Sequence, residues 1–122
     1  MDAVSVTSKG SILKKISVPG LKSVSRFIAF KRNPFVHGGT SFRRELFFEH
    51  GGYNADYIYA QDYELWTRFL SDKSLKLKKI KSIYHLLIHN ESISMTKKDV
   101  QQHFFKQARK KYWRHHLTCY QE

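Results

Sequence analysis

Apolar and polar positions along the chain fall into segments with distinct periods. Ala3, Val4 and Val6 precede the turn-like Ser8-Lys9-Gly10-Ser11, and Ile12, Leu13, Ile16 and Val18 follow before Pro19-Gly20 ends the run. This pattern predicts strand, turn, strand. Residues 21–32 place Leu21, Val24, Phe27 and Ile28 at helical spacing and stop ahead of Asn33-Pro34, where the residue before proline disfavours helix. After Gly38-Gly39, Thr40 or Ser41 is a candidate cap for a helix that runs to Gly51. In that helix Phe42, Leu46 and Phe47 form the inward stripe, Arg43, Arg44, Glu45 and Glu49 face out, and Gly51-Gly52 supplies a left-handed stop.

Residues 61–70 predict another helix, with Leu65, Trp66, Phe69 and Leu70 on its buried side. Asp62 lies three and four residues before Leu65 and Trp66, on the same inward side of the first turn, whereas Glu64, Thr67 and Arg68 point elsewhere. From Lys73 to His89, Leu75, Leu77 and Ile80 alternate with lysines before a more uniformly apolar stretch from Ile83 to Ile88. One or two strands with lysines on an exposed face or edge fit that stretch. Thr96 and Asp99 form a capping box, and Val100, Phe104, Ala108 and Tyr112 recur every four residues, which predicts an amphipathic helix from about Lys97 to His116. Its polar side carries Lys106, Arg109, Lys110, Lys111 and Arg114. Such a helix either docks on the domain with a solvated basic face or lies among anionic lipid headgroups.

With 122 residues, of which 15% are aromatic, the chain has room for one domain with a real core. No apolar run has the length of a membrane helix, and the N-terminus lacks the order of a signal peptide. The single Cys119 cannot form an internal disulfide, which fits a reducing cytosol. Charge changes the picture more: 22 Lys and Arg against 10 Asp and Glu give +12, a surface that attracts polyanions. A stand-alone basic binding module for nucleic acid or an anionic membrane surface is therefore one functional class to weigh. Signatures of nucleic-acid folds of the RRM or KH type are absent, so nucleic acid is the weaker partner.

The chemistry-bearing residues are few. Asp62, a carboxylate on the inward side of a helix start, is either a cap or a working base. His85 and His89 share a strand face but stand about 13 Å apart, and His115-His116 has no acidic or thiol neighbour, so a closed zinc site is not expected. There is no G-x-S-x-G elbow and no phosphate loop.

Taken together, Asn33-Pro34 with His37, Phe42-Arg43-Arg44, Gly51-Gly52-Tyr53, Asp62-Tyr63 with Leu65-Trp66 and Arg68, and His89 with Ser92-Ile93-Ser94 resemble, in order and spacing, the C-terminal half of glycosyltransferase family 2 domains. The resemblance implies an α/β fold, a partial GT-A-like (Rossmann-like) domain lacking the N-terminal nucleotide-binding half. Residues 1–95 would form the acceptor-side half and residues 96–122 the basic amphipathic helix.

It further implies transfer of a sugar from a nucleotide-sugar donor to a saccharide or lipid-linked acceptor hydroxyl, with inversion and with Asp62 as general base. His37, Gly38, Trp66 and His89 would bind substrate, His89 near the donor diphosphate and metal. The complete enzyme would use Mg²⁺ or Mn²⁺ and act in the cytoplasm, peripheral to the inner face of the membrane, in polysaccharide biosynthesis. Leu87 stands where the family pattern has Arg, Gln61 stands where it often has an acid, and nothing before residue 33 resembles the Asp-x-Asp donor half. The chain by itself is accordingly expected to be an inactive acceptor-side fragment, with an open sheet edge and an uncovered apolar face that favour oligomerisation.

Overall fold

The computed structural model describes residues 1–89 and 97–118. In chain order the elements are β1 (Asp2–Val6), β2 (Ile12–Ile16), α1 (Lys22–Ala29), a 3₁₀ turn (His37–Gly39), α2 (Arg44–Glu49), α3 (Gln61–Ser71), β3 (Ile83–Leu87) and α4 (Lys98–Thr118). The architecture is mixed α/β, with one three-stranded sheet in the order β2-β1-β3.

The opening hairpin forms as its alternation predicts. Ala3 pairs with Ile16 and Val4 with Lys15, and the ladder shifts register between Ser5 and Val6. Gly10 sits at φ +82, the left-handed conformation that lets Thr7 and Ser11 close the turn. β3 joins the other edge of β1 in parallel, with Asp2 opposite Ile83 and Val6 opposite Leu87. β1 is central in this sheet, which is why Ala3, Val4 and Ser5 are all buried, while Lys14 and Lys15 lie on the exposed edge strand β2. The residues from Leu75 to Ser82 form no strand; the lysine-rich part of that stretch runs as a connection. Lys79 from this connection and the Val18 N–H both reach the Asp2 carboxylate at 2.8 Å, and the Lys79 bond above all holds the Asp2 carboxyl below its usual range.

α3 is the hub of the core. Leu65, Trp66 and Phe69 pack with Leu46 and Phe47 on one side. Leu70 meets Ala29 of α1 and Tyr112 of α4 on another, and Tyr63 meets Ala108 on a third. Glu64 and Thr67 are buried as well, Glu64 at 1% exposure, so the faces that the stripe left open are also covered. The Glu64 carboxylate is met by Arg68 through three short hydrogen bonds, and Lys111 Nζ lies 3.5 Å away. The same guanidinium donates to the carbonyls of His50 and Gly52, the latter at 2.6 Å. It thereby ties α3 to the Gly51-Gly52 turn, whose φ values of +81 and +70 confirm the left-handed stop.

Two local expectations are corrected. Neither Thr40 nor Ser41 caps α2: the N-cap is Arg43, without a side-chain bond, because the 3₁₀ turn engages the Thr40 hydroxyl with the Val36 carbonyl. Phe42 consequently lies ahead of the helix, although its ring still packs on Phe47, Trp66 and Phe69. α1 is also turned around. Ser25 and Ala29 are its buried residues, small enough for close approach to α3, while Leu21, Val24 and Phe27 face solvent.

α4 packs its stripe against the domain. Phe105 stacks on Tyr63 with ring centroids 4.2 Å apart, and Ala108 and Tyr112 are buried. The last carbonyls of α1 lack partners within their own helix, as at any helix end. Tyr63 Oη donates to Ala29 O, Tyr112 Oη to Arg26 O at 3.0 Å and Trp113 Nε1 to Phe30 O at 2.8 Å. Tyrosine and tryptophan thus close the C-terminal end of α1 with their polar tips while their rings fill the core. Among the described residues no helix is long and apolar enough to cross a membrane. Thr96 of the predicted capping box, the Ser92-Ile93-Ser94 segment and Cys119 lie outside the described residues.

Candidate functional site

A cleft of about 530 Å³ opens beyond the carboxyl end of β3. One wall is the approach to α3 and its first turn, from Ile58 to Asp62; the other is the end of β3 from Leu86 to His89, and His37 and Gln101 complete the lining. Open α/β sheets place ligand sites at the carboxyl ends of their strands, and the parallel β1–β3 pair conforms to that rule.

The path into α3 is unusual. Ala60, its N-cap, has φ 57 and ψ 28, a left-handed conformation that costs a residue with a Cβ about 1–2 kcal/mol. Such strain persists where surrounding structure holds it, and it concentrates at functional sites. Asp62 follows in the first turn, where its charge suits the helix dipole, and it makes no hydrogen bond to a backbone N–H of the described residues. Its Oδ2 instead accepts a hydrogen bond from Asn33 Nδ2 at 2.9 Å. Asn33 Oδ1 accepts the Phe35 N–H at 3.2 Å, which leaves the amide nitrogen as the group that faces Asp62. Asp62 Oδ1 has no hydrogen bond to any described residue.

His37 is set by a different neighbour. Its Nε2 shares a hydrogen bond of 2.9 Å with Tyr53 Oη, and its ring stands edge-on to Trp66 with centroids 6.0 Å apart. The 3₁₀ turn that carries His37 is pressed against the sheet: a Cβ on Gly38 would lie 2.3 Å from Tyr84 Oη of β3. Only glycine fits this contact without displacing the tyrosine.

Of the five site residues expected from sequence, the structure brings three to one cleft: Asp62, His37 and His89. Gly38 lies beside it and serves the close approach to Tyr84. Trp66 does not line it; at 1% exposure it stands behind His37 among Phe35, Phe42 and Phe69. Asn33 and Tyr53, the partners of Asp62 and His37, were visible only as parts of the Asn-Pro and Gly-Gly-Tyr motifs. The signal for Asn33 is an asparagine just past a helix end, where its side chain can bond the backbone two residues on and still offer its amide. Leu87 lines the cleft where the family pattern has a cation, and the other described lining residues supply no lysine or arginine.

Mg²⁺ and Mn²⁺ favour carboxylate, carbonyl and water oxygens. Among the described residues the cleft offers the Asp62 carboxylate, with one oxygen already bound to Asn33, and the imidazoles of His37 and His89. Among the described residues no group of three or more His, Cys, Asp or Glu side chains converges on a point. The described residues do not fit such an ion.

Comparison of the chain with protein-family models, with curated proteins and with solved structures gives no match.

Proposed function

We propose that the cleft is the acceptor side of a glycosyl-transfer site of the GT-A, family 2 kind, with Asp62 as its general base. The observation that supports this best is the state of that carboxylate. It sits in an open cleft at a strained helix entry, with one oxygen anchored by Asn33 and the other unbonded among described residues.

A base so held can do one thing well. An acceptor hydroxyl within hydrogen-bond reach of Oδ1 gives its proton to Asp62 as the hydroxyl oxygen forms a bond to the anomeric carbon of the donor sugar. The bond from that carbon to the nucleoside diphosphate breaks on the opposite face, the electron pair leaves with the diphosphate, and the configuration inverts. Positioned proton transfer of this kind contributes about 10²–10⁴-fold. The Tyr53–His37 hydrogen bond orients the imidazole, whose Nδ1 is then available to an acceptor hydroxyl. Leu86, Leu87 and Ile88 give the opposite wall an apolar surface for the face of a sugar ring.

The test has two parts. Titration of the isotope-labelled chain with neutral mono- and oligosaccharides is expected to shift the amide resonances of residues 37, 62 and 87–89, with affinities of about millimolar. In a polypeptide that also carries the donor half, Asp62→Asn is expected to lower kcat by about 10²–10⁴-fold with the fold intact. Unchanged turnover in that variant, or saccharides that move resonances elsewhere only, would overturn the assignment.

A further inference from the structure

We propose a second binding surface, independent of the cleft: the outer face of α1 and the cationic groove between α1 and α4 dock the protein onto a bilayer that contains anionic phospholipid. The first observation is the orientation of α1. It buries Ser25 and Ala29 and presents Leu21, Val24 and Phe27 to solvent at 66%, 42% and 66% exposure. Water alone selects the reverse, and a row of large apolar side chains left outside marks a contact surface. Val24 and Phe27, three positions apart, share one side of the helix, and Leu21 stands just ahead of it as the N-cap.

The second observation adjoins the first. Lys31 Nζ stands 5.9 Å from the centroid of the Phe27 ring, and Lys31 is also part of the lining of a groove of about 570 Å³. Phe30, Lys106, Arg109, Lys110 and Trp113 complete that lining, which includes no acidic side chain among the described residues. Trp113 has its indole N–H engaged by the Phe30 carbonyl and leaves its ring 44% exposed, the disposition of an interfacial tryptophan. Four cations at the groove suit lipid phosphates, and the α1 row beside them suits the upper acyl region. Ala108 and Tyr112 of α4 play no part, since they are buried against Tyr63 and Leu70 of α3.

Charge and side-chain type select the occupant. A nucleic acid would use the cations and the rings of the groove, but aliphatic Leu21 and Val24 offer bases no stacking surface. A second copy of the chain, joined across a two-fold axis, would set this cationic groove close to its own copy, with no acidic side chain among the described lining residues to compensate. An anionic bilayer satisfies both the aliphatic row and the cations.

Co-sedimentation with vesicles of phosphatidylcholine alone, and with about one quarter phosphatidylserine, tests the proposal at low and raised salt. Binding is expected only with phosphatidylserine and is expected to weaken as salt rises. Replacing both Lys106 and Lys110 by alanine is expected to lower the partition coefficient roughly 25-fold, about fivefold for each cation removed. Phe27→Ala is expected to lower it roughly tenfold. Both variants change exposed residues, so unaltered circular dichroism and melting confirm that the fold is retained. Absence of binding to anionic vesicles overturns the proposal. So does a Phe27→Ala protein that binds them as well as the parent, or a single-stranded oligonucleotide that takes the groove in preference to the vesicles. A dimer that Phe27→Ala dissolves would likewise reassign the surface to self-association.

Discussion

Replacing Arg68 by alanine removes the guanidinium that meets the buried Glu64 and, with it, the bridge from α3 to the Gly51-Gly52 turn. Glu64 is 1% exposed and accepts three bonds from Arg68, at 2.8 to 3.1 Å. Without Arg68 its nearest cation is Lys111 at 3.5 Å, an exposed and flexible side chain. The His50 and Gly52 carbonyls lose their donor at the same time. Breaking a buried ion pair by deleting one partner costs about 3–5 kcal/mol, because the remaining charge stays in a poor solvent. For a domain whose total stability is about 5–15 kcal/mol, that loss is at least about a fifth of the whole.

The unfolding entropy of about 2.1 cal/mol/K per residue converts 1 kcal/mol to about 4 °C for a chain of this length, so the melting temperature is expected to fall by about 12–20 °C. Urea denaturation checks the free energy independently, provided the m-value is unchanged. Glu64→Leu combined with Arg68→Leu separates the two contributions. It removes the stranded charge but leaves both carbonyls without the guanidinium, so stability should return only in part. An Arg68→Ala protein within about 1 kcal/mol of the parent would refute the reasoning, since that is the value of a solvent-exposed pair.

Two further outcomes follow from the way α1, α3 and α4 are joined. Tyr63→Phe keeps the ring stacked on Phe105 but strips the donor from the Ala29 carbonyl at the end of α1, and about 1–3 kcal/mol of stability should be lost, read by urea midpoint. His116 packs edge-on against Tyr112 and Phe30, shares a 3.3 Å hydrogen bond with Ser71, and is held below its ordinary value of 6.5 by burial first and by Arg26 and His115 second. In the window between its folded pKa and 6.5 the unfolded chain binds the proton that the folded chain refuses. Its contribution is therefore fully present above 6.5 and is lost as pH falls toward the folded value. Urea midpoints measured across that range are expected to drop less in His116→Gln than in the parent, and parallel pH profiles would count against the assignment.

The parts of this protein that were legible in advance are those governed by neighbours in sequence. The hairpin was readable because alternation over Ala3–Val6 and Ile12–Ile16 brackets a turn that only Gly10 completes. α3 was readable because Leu65, Trp66, Phe69 and Leu70 repeat with the helical period, and the stop at Gly51-Gly52 was readable because left-handed backbone calls for glycine. Asp62 could be placed on the inward side of the first turn for the same reason.

What the pattern did not decide is which surroundings each element meets. Leu75 and Leu77 alternate with lysines as a strand would, yet the edge of β1 is filled by Ile83–Leu87, and the earlier stretch is left as a connection. The apolar stripe of α1 looked like its core face, but the position that faces α3 requires close approach, so small Ser25 and Ala29 go inside and Phe27 goes out. Glu64 looked like a surface residue until α4 closed over it and Arg68 supplied the charge that makes its burial tolerable.

The sequence by itself thus determined periods, turns and the side of the helix on which Asp62 lies, because these depend on spacing and on backbone conformations that individual residues allow. Only the tertiary structure decided that Asn33, 29 positions away, holds that carboxylate, and that His37 and His89 share its cleft. Hydrogen-bond partners distant along the chain are chosen by how helices and sheet pack, and packing is a property of the assembled faces, which no local pattern encodes.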